Sequence, residues 1–120
     1  MLLEVLAVAA FQVGGAPAYA EWAAHYRCLN RAAVLMAETN EPIAEAARLT
    51  VNLCAPYLSV YEAALFEAGY DEDRAIRRSE AVALVGTAHA ERVITRIRLC
   101  GASDDCEALF APDPPRAPIE

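Results

Sequence analysis

The residues best suited to chemistry in this chain are its four cysteines, Cys28, Cys54, Cys100 and Cys106. Four cysteines allow three pairings, and helical geometry narrows them. If the segments flanking Asn40 and Glu41 form an antiparallel hairpin, Cys28 and Cys54 stand almost equidistant from the turn. At ~1.5 Å per residue each lies roughly 18 to 20 Å up the hairpin, facing the other. Cys100 then falls at the end of the next helix, back near that turn and beyond the Cα separation that a disulfide tolerates. The expected pairing is Cys28–Cys54 and Cys100–Cys106, the second closing a short loop. Zinc is the competing use. Structural zinc sites show short cysteine hooks, whereas here only His25 and Cys28 are spaced to share a helical face. Two ligands do not make four, so no metal is expected. Reduced, buried cysteines are the alternative if the chain is not exported.

Other reactive side chains lie in no catalytic pattern. His25 sits beside an apolar stripe and His89 in an apolar stretch, where imidazoles serve more often as core or interface groups than as acids and bases. Ser59, Ser79 and Ser103 occur in no G-x-S-x-G motif. The sequence has no phosphate-binding glycine loop, no H-E-x-x-H and no C-x-x-C pair. No catalytic residue and no cofactor are expected, and the reading is non-enzymatic.

The elements that would position these groups are helical. The chain of 120 residues is 57% hydrophobic and 22% charged, a globular composition for one domain, and it is rich in alanine, the best helix former. A first helix is expected over 21–38, with Trp22, Tyr26, Leu29, Ala33 and Met36 on one face. Asn40 is placed to cap a second helix over 41–68, whose buried stripe is Ile43, Ala47, Val51, Cys54, Leu58, Tyr61 and Leu65. Pro56 removes a backbone donor inside it, which predicts a kink over 52–56. Gly69 ends this helix and Asp71 caps the third, over 72–99. That helix begins on Asp71, Glu72 and Asp73 and ends on Arg92, Arg96 and Arg98, in keeping with its dipole, and Asp73 and Arg77 are spaced to pair. The fold class is all-α, an up-down-up three-helix bundle with a kinked second helix. A short turn holding Cys106, Leu109 and Phe110 follows, then a disordered proline-rich tail over 111–120.

The first twenty residues read as a signal peptide: an apolar run over 2–13, then Ala18-Tyr19-Ala20 at the position a signal peptidase reads, with the mature helical domain at 21–110. Glu4 and the lack of a basic residue before the run depart from that pattern, and a retained helix packed on the domain is the alternative. The run is too short for a spanning helix, so no integral membrane segment is expected in the mature chain. The localisation expected is periplasmic or secreted.

A net charge of −7, with no basic cluster outside the third helix, argues against a nucleic-acid or anionic-membrane partner. All ten basic residues are arginine, which matches codon bias more simply than anion recognition. The middle of the third helix, Ala81 to Ala90, is nearly apolar all round, although a three-helix bundle covers only part of a helix. Leu84, Val85, Gly86, Ala88 and His89 are therefore the expected interaction surface, with Gly86 allowing close backbone approach. The expectation is an exported, disulfide-stapled helical protein acting by protein–protein interaction, in the manner of an inhibitor, immunity protein or chaperone. Its partner is another protein or a second copy. One alternative is an intracellular regulatory or antitoxin-like helical protein with reduced cysteines. Another is a carrier of a small ligand or lipid.

Overall fold

A computed structural model describes residues 16–100, and these contain four α-helices and no strand. They are α1 (Tyr19–Ala37), α2 (Ile43–Leu53), α3 (Ala55–Glu67) and α4 (Glu72–Cys100). The all-α class stands. The three-helix count does not, because the expected second helix is two helices that meet at Cys54 with a 53° bend. The cause is local. Pro56 has no N–H to return to the carbonyl four residues earlier, and it is tolerated in the first turn of a new helix. Tyr57 and Leu58 both donate to the Cys54 carbonyl at 3.0 and 3.4 Å, which starts α3 there.

The boundaries between α3 and α4 follow sequence chemistry closely. Gly69, at φ 100°, supplies the left-handed residue after α3, and the Tyr70 N–H returns to the Leu65 carbonyl at 3.0 Å. The Asp71 carboxylate accepts from the Arg74 N–H at 2.8 Å as α4 begins. Asn40 does not cap α2. Pro42 occupies that position with no side-chain cap, and Thr39 organises the turn by donating from its hydroxyl to the Met36 carbonyl.

α2 and α3 run back along α1, and α4 returns parallel to α1. Two cores stack along the bundle. Trp22, Tyr26, Leu29, Cys54, Tyr61, Leu65, Tyr70 and Val82 fill an aromatic layer between α1, α3 and the first half of α4. Ala33, Ala37, Ala46, Ala47, Ala90, Val93 and Ile94 make the second, where small side chains let α1, α2 and the last half of α4 approach closely. Expected stripe residues Met36, Val51 and Leu58 are only partly buried and Ile43 is exposed.

Arg98 closes the far end of the bundle. Its guanidinium donates to the carbonyls of Ala37 at 3.1 Å and Thr39 at 3.0 Å, satisfying groups left without partners where α1 ends. α1 starts at Tyr19, so removal of residues 1–20 would take only Tyr19 and Ala20 from it. Residues 1–15 of the expected leader over 1–20, Cys106 with its short turn, and the tail over 111–120 lie outside the described residues. No single described helix is long and apolar enough to cross a membrane; the bent pair α2 and α3 meets that criterion together, by length and composition only.

Candidate functional site

The disulfide is where hairpin geometry put it. Cys28 is bonded to Cys54 with Cα atoms 5.8 Å apart, tying the middle of α1 to the bend between α2 and α3. Cys100 is also disulfide-bonded; the expected partner, Cys106, lies outside the described residues. Cys54 is fully buried, so this bond is a staple within the core.

The five expected interaction residues divide between opposite sides of α4. Leu84 is 75% exposed and Val85 48% exposed, and Ala88 lies at the surface with them. Gly86 and His89 face inward against α1, and this corrects their assignment to the surface. A helix repeating every 3.6 residues cannot turn all five outward while its inner stripe packs on α1.

The inward pair explains why this helix carries a glycine at mid-length. A Cβ on Gly86 would stand 3.0 Å from Leu29 Cδ1 and 3.6 Å from His25 Cε1. The close backbone approach foreseen for Gly86 therefore occurs within the domain, between α1 and α4. One turn on, the Nε2 of His89 lies 2.6 Å from the Asn30 side-chain oxygen, and its ring meets Tyr26 edge-on at 5.5 Å. Burial holds the His89 imidazole below its ordinary range, and the charges of Arg92 and Arg96 push it further in the same direction. His25 is completely buried and neither ring nitrogen has a hydrogen-bond partner among the described residues; burial lowers its pKa to about 4. Both imidazoles are packed on the side of α4 away from its exposed face.

The outward side carries a pattern that the expected interaction residues do not include. Arg74 and the half-buried Arg78 precede the apolar patch on α4, and Arg92 and Arg96 follow it. Each residue of the first pair precedes its counterpart by 18 residues, about five helical turns, which gives the same azimuth and a separation of about 27 Å. The arginine spacing alone, laid on a helix, could have revealed this. Arg92 and Arg96 are exposed, and with Ala88, Glu91 and Thr95 they line a shallow open groove. Arg74 stacks over the Tyr70 ring at 4.5 Å, and Arg77 pairs with Asp73 at 2.9 Å as the spacing predicted. The opposite edge of the face carries Asp73, Glu80 and Glu91.

Other apolar side chains also reach the surface, notably Leu53, Tyr57 and Val60 around the bend. Among the described residues no group of three His, Cys, Asp or Glu is gathered for a metal. No family model, no curated protein and no solved structure matches this chain.

Proposed function

We propose that this chain is a small, exported, disulfide-stapled helical protein that acts without catalysis, by docking a partner protein on the outer face of α4. The observation that carries the reading is the exposure of Leu84, Val85 and Ala88 at the centre of a helix whose other side is anchored by Gly86, His89, Ala90 and Val93. Exposing a large aliphatic side chain there forgoes stabilisation that burial would supply, roughly 2 kcal/mol for a leucine. Contiguous apolar surface of this kind marks interaction sites. A disulfide inside the core supports an oxidising compartment, the periplasm or exterior.

The test is a photoreactive residue in place of Leu84 in the intact chain, expressed in its native host, with Arg48 on α2 as the control position. The reading expects one discrete protein adduct at position 84 that the control position does not form. Adducts confined to the chain's own first twenty residues would instead show a self-packed core surface. N-terminal sequencing of the natural product checks export: a mature chain beginning at Glu21 supports it, whereas an intact Met1 favours the intracellular regulatory alternative.

A further inference from the structure

The arrangement of charge on α4 goes beyond the existence of a docking face to the chemistry of what docks. This step rests on the interaction reading above. α4 carries six of the ten arginines of a chain with net charge −7, and four of the six, Arg74, Arg78, Arg92 and Arg96, stand in two pairs on one azimuth. Between them lie Ala81, Leu84, Val85 and Ala88, all exposed. Arg92 and Arg96 have no ion-pair partner among the described residues, although Glu91 is close by on the groove they line.

We infer that the partner presents an acidic amphipathic helix, with an apolar centre over Ala81 to Ala88 and carboxylates at both ends against the two arginine pairs. The apolar centre supplies desolvated contact area. Arginine forks favour bidentate carboxylates, and the complementary charge sets register and speeds encounter. A helix-on-helix dock also suits the small side chains of Ala81 and Ala88, which let the second helix approach. Two copies of this chain fit the face less well in the antiparallel sense. Pairing about Val85 sets Arg74 against Arg96 and Arg78 against Arg92, a like-charge contact at each end. An anionic membrane offers charge without register and would meet a domain that is strongly acidic elsewhere.

The experiment uses two synthetic helix-stabilised peptides and the intact, oxidised chain. Both peptides have the same leucine-alanine centre; one carries glutamate pairs 18 residues apart and the other glutamine at those positions. Fluorescence anisotropy measures binding to the wild-type chain, to the double variant Arg92→Gln/Arg96→Gln and to Leu84→Glu. The inference expects the glutamate peptide to bind at least tenfold more tightly than the glutamine peptide. That advantage should shrink with added salt and fall at least several-fold in the double variant. Equal binding of both peptides, lost in Leu84→Glu, would overturn the acidic partner and leave the docking face intact. Binding of neither peptide would overturn the inference as well. So would sedimentation onto phosphatidylglycerol vesicles with no peptide bound, or self-association abolished by Leu84→Glu. The photo-adduct at position 84 reports on the docking face separately.

Discussion

His89 and Asn30 meet across the α1–α4 interface with 2.6 Å between Nε2 and the side-chain oxygen, a contact on the side of α4 turned away from solvent. With Gly86 seated against Leu29 one turn earlier, a rotation of α4 would break the hydrogen bond and force backbone against side chain. Leu84, Val85 and Ala88 are exposed while Gly86 and His89 are buried against α1. Asn30→Ala should therefore cost about 1 to 2 kcal/mol, the usual consequence of leaving a buried polar group without its partner. Urea denaturation checks the value; an unchanged midpoint would show that packing alone sets the rotation.

His25 should make the domain acid-sensitive. Its folded pKa of about 4 lies below the ordinary value of 6.5, so between these limits the unfolded chain binds a proton that the folded chain does not. Its contribution is fully present above about pH 6.5 and is lost as pH falls toward 4, by roughly 3 kcal/mol in total. His89, lowered in the same direction, adds to the slope. Stability measured from pH 7 to 4 should fall less steeply in His25→Leu than in the wild type, with a residual slope from His89. Parallel profiles would contradict the role given to His25.

Substitution at Gly86 should act opposite to substitution on the outer face. Gly86→Ala gains about 1 kcal/mol of helix propensity. The new Cβ stands 3.0 Å from a fully buried Leu29, and overpacking of this kind typically costs about 1 to 3 kcal/mol. The expected outcome is net destabilisation, larger for Gly86→Val, read from thermal midpoints. A stabilised Gly86→Ala would mean that Leu29 moves aside without penalty.

Breaking the staple should weaken the bundle as a whole. Cys28 and Cys54 close a separation of 26 residues, worth about 3.5 kcal/mol in the chain-entropy model. The double variant Cys28→Ala/Cys54→Ala should lower stability by up to that amount, and non-reducing peptide mapping should recover the linked pair from the natural protein. A linkage of Cys28 to Cys100 would be incompatible with the observed helix order.

Much of this architecture is legible in the residues. The stripe of Trp22, Tyr26, Leu29 and Ala33, the turn at Gly69 and Asp71, and the Cys28–Cys54 level all follow from 3.6-residue periodicity and the rise of a helix. The break at Cys54 is legible as a kink, but proline alone does not say whether a helix bends or restarts. That depends on whether the tertiary packing favours one continuous helix, and here α2 and α3 pack on different cores. The burial of Gly86 and His89 is not legible, because a segment apolar all round offers no contrast between a wet and a dry side from which to choose an inner face. The choice is made by Asn30 and Leu29, which lie on another helix, far away in sequence. The arginine pairs on α4 are readable from spacing; read only as charges at a helix end, Arg92 and Arg96 look like partners for the dipole.

Whether the outer face of α4 is an interface is decided by the variant Leu84→Glu. Leu84 is 75% exposed, so the substitution should leave helicity intact and shift stability by no more than about 0.5 kcal/mol. Carrying a photoreactive residue in place of Val85, this variant should lose the partner adduct that the same probe forms beside an intact Leu84. A variant that unfolds, or that forms the adduct undiminished, would contradict an interface there.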